Sequence, residues 1–185
     1  MMSTFNLVPN IHNPIVECHD LDLPIPINPN FKRNEGYATS DDNHRLVSDP
    51  YSATDDVTLY FRNMFCQNIA PLFFQHQRFQ WSWPISMHTL INKIDVNITL
   101  FKDEVGFSQA RHEDPRVFVA SGVLHLQDCE QGTTFESGYV APTKKFSGSF
   151  WANTQLSHHW VEKVTSERMA YLVIAQWKFL PFDFK

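Results

Sequence analysis

The segment 54–70 carries apolar side chains at the three- and four-residue spacing of an amphipathic helix. The apolar positions are Val57, Tyr60, Phe61, Met64, Phe65 and Ile69. Thr54 can cap the start of this helix, and Asp55 and Asp56 suit the positive end of its dipole. Pro71 is expected to end or kink it. The apolar stripe predicts a helix that packs against a sheet.

From about residue 79 the apolar runs shorten and are separated by turn-like sequences. The predicted strands are Phe79–Trp83, Asp95–Phe101, Val117–Gln127, Thr133–Phe135, Gly148–Ala152, Leu156–Val161 and Arg168–Phe179. Short strands that follow one helix predict a mainly β chain, folded as a sandwich or barrel with one or two supporting N-terminal helices. Trp81 and Trp83 alternate with polar residues, which favours core or edge packing over a substrate-stacking platform.

The first 50 residues hold six of the eleven prolines, so they cannot form a long helix or a central strand. We expect extended segments and turns, with a short strand near Ile15–Leu23. Such a segment either wraps the sheet edges, which is the favoured interpretation, or forms a lid over the substrate. The predicted organisation is one domain, with a wrap at 1–53, a helical support at 54–78 and a β core at 79–185.

Composition narrows the class of protein. The chain has 185 residues, of which 43% are hydrophobic and 19% charged, so a packed core is expected and global disorder is not. The net charge of −5 argues against a general binder of nucleic acid or anionic membranes. The first 60 residues carry a net charge of −6, which would favour a neutral or basic substrate if they border the site.

Cysteine usage and hydropathy suggest where the protein resides. Cys18, Cys66 and Cys129 are far apart, without a CxxC pair, so neither a disulfide scaffold nor a structural zinc site is expected. Neither a signal peptide nor an apolar run long enough to span a membrane is visible. We therefore expect a cytoplasmic protein.

Two histidine motifs supply candidate metal ligands. In an extended segment residues two apart point to the same side, so His112 and Asp114 can face inward together. His158 and His159 open another predicted strand. Two imidazoles and one carboxylate form the facial triad of non-haem iron oxygenases, which leaves open positions on the metal. Arg168, at the start of an apolar strand, would suit a bidentate carboxylate; an ion pair with Glu162 or Glu167 is the alternative.

The segment 95–179, about 85 of the 185 residues, resembles the Fe(II)- and 2-oxoglutarate-dependent dioxygenases, most nearly their prolyl-4-hydroxylase-like branch. The shared features, in order, are the HxD motif, the strand VFVASGVLHLQ, the QGTTF turn, and HWVEKVTSER followed by an apolar strand. The resemblance implies a double-stranded β-helix, a jelly-roll barrel of the cupin-like kind. The family often has a Tyr before its first ligand and two Gly before the Thr, and this chain departs from both.

Residue roles follow from the same resemblance. It implies that His112, Asp114 and His159 bind Fe(II), with His158 as the fallback ligand, and that Arg168 binds the distal carboxylate of 2-oxoglutarate. His125 is carried over as a further residue for that carboxylate. The apolar side chains of Phe150, Trp151 and Trp160 would exclude water. O2 is the second co-substrate, and ascorbate is an expected supporting reductant.

The implied reaction is a hydroxylation that releases succinate and CO2. The expected prime substrate is a peptidyl residue, as in prolyl hydroxylases, or a small metabolite. Neither a membrane nor a nucleic acid is an expected partner. Two alternatives stay open: a cupin-like metalloenzyme that does not use 2-oxoglutarate, and a non-catalytic jelly roll that serves as a binding or structural module.

Overall fold

Two antiparallel sheets dominate the computed structural model, which describes residues 2–9, 12–33, 44–154 and 157–178. The strands within these ranges are β1 (Thr4–Leu7), β2 (Ile15–His19), β3 (Phe31–Arg33), β4 (Arg45–Ser48), β5 (Ile94–Asp103), β6 (Gln109–His112), β7 (Phe118–His125), β8 (Thr133–Phe135), β9 (Gly148–Ala152), β10 (His159–Val161) and β11 (Arg168–Trp177). The large sheet has the order β1-β2-β9-β7-β11-β5-β4-β3, and the small sheet has the order β6-β10-β8. The prediction of a mainly β chain is confirmed.

Helices cover one face of the large sheet. They are α1 (Asp56–Met64), α2 (Ala70–Phe73), α3 (Gln77–Ser82) and α4 (Met87–Lys93), and a π-helical turn at Phe65–Ile69 joins the first two. The amphipathic helix is therefore confirmed, but helical structure continues to Lys93, beyond the predicted boundary at 78. The last predicted strands are also shorter than expected, although Leu156 and Phe179 themselves lie outside the described residues.

The predicted strand Phe79–Trp83 is wrong, because this segment forms helix α3. Phe79 and Trp83 fit either element, since a spacing of four residues satisfies both the strand and the helix period. His76 decides between them: its Nδ1 accepts a hydrogen bond from the Arg78 backbone N–H at 3.2 Å and caps the helix. Phe79 and Trp83 are then buried, while Trp81, between them, is 71% exposed.

Two details of the first helix also differ from the prediction. Asp55, not Thr54, occupies the N-cap position, and its carboxylate accepts a hydrogen bond from the Ser52 backbone N–H at 2.6 Å. The helix does not end at Pro71. The π-helical turn immediately before Pro71 widens the backbone spiral, and the helical path then continues through α2.

The N-terminal segment supplies strands at both edges of the large sheet. β2 pairs with β9 and carries β1, while β4 pairs with β5 and carries β3. This arrangement corresponds to the edge-covering interpretation of the segment. It also places Arg45, the first residue of β4, opposite Asp103 at the end of β5.

Alternation along the central strands divides the interior into two layers. One face of β5 and β11, which includes Leu100 and Tyr171, packs against α1 and the turn that follows it. The opposite face, which includes Phe101 and Ala170, packs against Phe135 of the small sheet. The space between the two sheets is therefore separate from the core beneath the helices, and it holds the side chains described next.

Two further findings concern the cysteines and the helices. All three cysteines are free thiols. In the part of the chain that the structure describes, none of the helices combines the length and the apolar character that a membrane span requires.

Candidate metal centre

Strand pairing brings the two histidines of the candidate triad together. His159 on β10 lies directly opposite His112 at the end of β6, and their ring centroids are 4.3 Å apart. The register between these two strands shifts between His159 and Val161. Sheet formation thus joins ligands that are 47 residues apart in the chain.

Asp114 follows directly after β6 and completes the cluster. Its Oδ1 lies 3.8 Å from His159 Nε2, and the donor atoms of His112, Asp114 and His159 all lie within 4.8 Å of one another. Trp151 Nε1 donates a hydrogen bond to the other oxygen, Oδ2, at 2.9 Å. One carboxylate oxygen is therefore held by the indole, and the other faces the imidazoles. We call these three residues the triad.

Backbone carbonyls fix the orientation of both imidazoles. His112 Nδ1 lies 2.9 Å from the Ala110 carbonyl oxygen, and His159 Nδ1 lies 2.9 Å from that of Ser157. Because a carbonyl oxygen only accepts, each Nδ1 donates, which leaves each Nε2 as the nitrogen that can bind a metal. His112 Nε2 also lies 3.2 Å from the Gln109 side-chain amide nitrogen, a contact that a metal would replace. Burial lowers the pKa of His159, which favours the neutral imidazole that binds metals. The donor set is thus two imidazoles and one carboxylate oxygen, which fits a facial iron triad.

Replacing Trp151 with Phe should weaken metal binding without removing a ligand. Phe keeps the ring contact but leaves Asp114 Oδ2 without its N–H donor, so the carboxylate is no longer oriented. Loss of such a supporting hydrogen bond typically lowers metal affinity about 10- to 100-fold. Calorimetric titration with Mn(II) measures the change. Trp160→Phe is the matched control, since the Trp160 indole donates to Glu162 instead, and equal affinity of the two variants would contradict the role of Trp151.

The fallback ligand, His158, lies outside the triad. Its Nδ1 is 3.3 Å from Glu113 Oε1 and 3.3 Å from Glu136 Oε2. Adjacent residues of a strand point to opposite faces, so the direction of His159 places His158 on the outside.

Of the three apolar side chains expected to exclude water from the site, only Trp151 lies beside the triad. Trp151 packs against His159, whereas Trp160 pairs with Glu162 and Phe150 packs against Phe65 beneath the helices.

A buried network of two arginines and one aspartate lies deeper between the sheets. Arg168 Nε donates to Asp103 Oδ2 at 2.5 Å, and Arg45 donates to both oxygens of the same carboxylate at 2.6 and 2.9 Å. Phe101 and Phe107 lie under the Arg45 guanidinium at 4.3 Å. The alternative left open for Arg168, an ion pair with Glu162 or Glu167, is wrong, since its partner is Asp103.

Arg45 was missed by sequence reasoning. It shows the same signal as Arg168, a permanent cation at the start of a strand, but it lies in the segment assigned to a wrap. Burial opposes the ionisation of Asp103, yet the two guanidiniums outweigh burial and hold the pKa of this carboxyl below its ordinary value.

One small cavity, of about 50 Å³, connects the triad with this network. Its lining includes all three triad side chains together with Arg45 and Arg168. Ser121 also lines it, and the buried Ser121 Oγ has no hydrogen-bond partner among the described residues. An oxygen-rich anion is the ligand that would satisfy both this hydroxyl and the guanidiniums. We call this space the inner cavity.

Comparison with known proteins finds no match in sequence: neither a protein-family model nor a curated protein matches the chain. Solved structures do match. A prolyl-4-hydroxylase from Pseudomonas putida superposes with a TM-score of 0.51 at 11% identity, over 73% of each chain. The chain shares the jelly-roll fold of this enzyme. The double-stranded β-helix predicted from the sequence is thereby confirmed.

Two weaker similarities come from the same comparison. The viral collagen prolyl hydroxylase of Paramecium Bursaria Chlorella virus-1, solved as a 2OG complex, has a TM-score of 0.42 at 15% identity, over 59% of this chain and 74% of its own. A 2OG-Fe(II) oxygenase family protein from Burkholderia pseudomallei has a TM-score of 0.45 at 11% identity, over 76% and 72%.

His125 is the last residue of β7 and is not part of the inner-cavity lining. It shares a face of β7 with Ser121 and Val123, and it pairs with Ala170, which lies between the lining residues Arg168 and Leu172. Its Nδ1 is 3.5 Å from Cys129 Sγ. Burial, and then the nearby Arg168 charge, lower the pKa of His125 to about 3. His125 is therefore neutral beside Arg168, and its role toward a co-substrate carboxylate stays a prediction.

The neutral His125 should make the protein sensitive to acid. The unfolded chain takes up a proton near pH 6.5, whereas the folded chain resists it down to about pH 3, so stability falls as the pH falls between these values. The expected loss from this group is about 2 kcal/mol between pH 7 and pH 5. Urea unfolding at the two pH values measures it. His125→Gln should flatten the profile and His88→Gln should not; equal profiles for wild type and His125→Gln would exclude this mechanism.

A second, larger cavity of about 760 Å³ opens outward from the triad, and we call it the outer cleft. Its lining residues are His12, His76, Gln77, Arg78, Trp81, Ser82, Trp83, Glu113, Asp114, Arg116, Asn153 and Thr154. Asp114 lines both cavities. A ligand in the outer cleft would thus reach Asp114, whereas Arg45 and Arg168 line the inner cavity.

Proposed function

We propose that this protein is an Fe(II)- and 2-oxoglutarate-dependent oxygenase that hydroxylates a residue of a peptide or protein. One observation carries the proposal: the triad and a buried guanidinium pair line a single inner cavity within a jelly roll. A metal at one end and a cationic anchor at the other are what a dicarboxylate co-substrate requires.

His112, Asp114 and His159 would hold the iron. Three ligands on one face leave room for a chelating co-substrate and for O2. Bound there, the iron would supply the oxidative chemistry that converts 2-oxoglutarate and O2 into succinate, CO2 and a hydroxylated substrate. The protein's own contribution is to orient the imidazoles through the Ala110 and Ser157 carbonyls and the carboxylate through Trp151.

Arg168 and Arg45 would bind the distal carboxylate of 2-oxoglutarate. Both guanidiniums line the inner cavity while their other donors hold Asp103, so their directions are fixed before any ligand enters. Ser121 Oγ adds a hydroxyl donor without a partner. His125 would act only through the packing of Arg168. The assignment keeps the predicted Arg168 and adds two residues that the sequence did not single out.

Apolar side chains close the inner cavity on its remaining sides. Trp151, Val123 and Leu172 are part of its lining, and Phe135 packs against both Trp151 and His159. These surfaces offer few hydrogen bonds to water. They would limit solvent near the metal and strengthen the arginine contacts.

The role of Arg168 in binding 2-oxoglutarate can be tested separately from metal binding. The wild-type protein should release succinate when supplied with Fe(II), ascorbate, 2-oxoglutarate and O2, also slowly without a prime substrate. Arg168→Lys should raise the KM for 2-oxoglutarate about 10- to 100-fold, because a point charge cannot replace the planar guanidinium fork. Its Mn(II) affinity should stay unchanged.

Arg111→Lys is the matched control, because Arg111 forms an exposed ion pair with Glu136. Wild-type protein that binds Mn(II) but gains no affinity from 2-oxoglutarate would point to the cupin-like alternative. Wild-type protein that binds neither would support the non-catalytic jelly roll.

A further inference from the structure

We propose that the prime substrate is an acidic peptide segment that lies in the outer cleft, with its carboxylates on Arg78 and Arg116 and an apolar neighbour on Trp81. This inference rests on the proposed function, since it names the substrate class for the same triad. It follows from the charge, the exposure and the rigidity of the residues that line the cleft.

The outer cleft has two walls that meet at the triad. Helix α3 supplies one wall, which includes Arg78 and Trp81. The turn after β6 supplies the other, which includes Glu113, Asp114 and Arg116. With a volume of about 760 Å³, the cleft is in the range of sites that hold extended ligands rather than a single small anion. A chain lying in it would therefore have Asp114 and both arginines within the same cleft.

The arginines of the cleft differ from most other arginines of this chain. Arg33, Arg45, Arg111 and Arg168 all pair with carboxylates. Among the described residues, Arg78 and Arg116 have no carboxylate and no hydrogen-bond partner for their guanidiniums. In a protein with a net charge of −5, two such cations in one cleft are a ready site for carboxylates.

The acidic groups of the cleft are already engaged. Glu113 Oε1 lies 3.3 Å from His158 Nδ1 on the outer surface, and Asp114 belongs to the triad. Among the described residues of the first 60, His12 is the one that lines the cleft. The expectation of a neutral or basic substrate was conditional on that segment bordering the site. The lining thus holds two arginines and two carboxylates, and the two arginines are the charged groups that are left to pair with a substrate.

Both arginine-bearing walls are held in place. The Asn153 side-chain amide donates to the carbonyl oxygens of Asp114, Pro115 and Phe118, which fixes the turn that carries Arg116. His76 caps helix α3, which carries Arg78. The backbone at both arginines is therefore fixed, so binding a substrate would order only the two side chains.

Trp81 gives the cleft an apolar contact. Its indole is 71% exposed at the wall, while Trp83 is buried against Trp177. The alternative that the sequence left open, a stacking platform, therefore fits Trp81 alone. Exposed Trp next to Arg is also found at nucleic-acid sites, but a phosphate backbone needs a longer row of cations than this cleft offers. We therefore favour a peptide.

The test uses three labelled peptides that share one central sequence and differ only in flanking residues: acidic, amide or lysine. Binding is measured by fluorescence anisotropy on the full chain with Mn(II) and 2-oxoglutarate at low salt. The acidic peptide should bind about tenfold tighter than the amide peptide, as expected for two exposed ion pairs, and the difference should shrink as salt is added. Mass spectrometry of the Fe(II) reaction then seeks a +16 product.

Charge reversal makes the test specific. The double variant Arg78→Glu, Arg116→Glu should prefer the lysine peptide to the acidic one. Trp81→Ala should weaken all three peptides. Arg62→Glu is the matched control, because Arg62 lies on α1, is not part of the cleft lining and also lacks a carboxylate partner among the described residues; it should leave the order of affinities unchanged.

The possible results separate the acidic-peptide proposal from the proposed function. Equal affinities for the three peptides, or an unchanged preference after charge reversal, would overturn the acidic-peptide proposal, as would tighter binding of a single-stranded oligonucleotide. These results leave the proposed function standing if the wild-type protein releases succinate without a peptide. Absence of that release in a protein that is shown to be folded is the separate failure of the proposed function.

Discussion

Replacing Asp114 with alanine should abolish succinate release, with a loss of at least about a thousandfold. The variant loses the only carboxylate of the triad, so two neutral imidazoles remain to hold a divalent cation. The Trp151 indole also loses the acceptor for its N–H. Turnover of 2-oxoglutarate and Mn(II) affinity, measured on the same samples, should fall together.

Two further variants separate loss of the metal from loss of the fold. Asp114→Asn keeps the shape and the acceptor for Trp151 but removes the negative charge, so it should also lose activity while its urea midpoint stays near that of the wild type. Asp49→Ala removes an exposed carboxylate that pairs with Lys32, and it should retain both activity and metal binding. If Asp114→Ala kept a tenth of wild-type turnover, the assignment of the metal site would fail.

Replacing Asp103 with alanine should lower the free energy of unfolding by about 3–5 kcal/mol. Asp103 is fully buried, and it is the carboxylate that both Arg45 and Arg168 contact. Without it, two like charges face each other between the sheets with their main acceptor removed. Urea unfolding followed by tryptophan fluorescence measures the change.

The stability that Asp103 contributes should depend on pH in a defined direction. The pKa of Asp103 is held low in the folded protein, so its ionised form stabilises the fold above the unfolded-state pKa. That contribution disappears as the pH falls below about 4 and through the folded-state pKa. Asp103→Ala should therefore lack this part of the acid transition.

Matched variants test the cause of the instability. Glu167→Ala breaks an exposed pair with Lys102 and should cost less than about 1 kcal/mol. Adding Arg45→Met to Asp103→Ala should recover part of the stability, because it removes one of the two unpaired charges. No recovery, or a loss below 1 kcal/mol for Asp103→Ala itself, would contradict the charge argument.

Much of the β core could be predicted from the sequence. The strands at Gly148–Ala152 and Thr133–Phe135 have the predicted bounds, because each is a short apolar run between clear turn signals. The strand that follows β5 was harder to predict from the sequence. β6 is short and largely polar, so the strand that carries His112 gives no apolar signal of its own.

The main error, a strand predicted at Phe79–Trp83, arose because the local sequence fits both a strand and a helix. Phe79 and Trp83 are compatible with two periods, and only the cap at His76 and the burial of both rings beneath the sheet select the helix. The same error hid the outer cleft, since a strand at this position would not have presented Arg78 and Trp81 on one wall. A capping histidine is a weak signal, so the sequence alone would not have corrected it.

The amino-acid sequence by itself determined a mainly β chain, the order of its candidate metal-ligand motifs and the place of Arg168 at the start of a strand, because these depend on residue type and on spacing along one strand. Only the tertiary structure decided that His159 and not His158 faces His112, that Arg45 joins Arg168 on Asp103, and that two arginines line a cleft beside Asp114. Those relations join residues up to 65 positions apart. They depend on strand register and sheet closure, which no local pattern specifies.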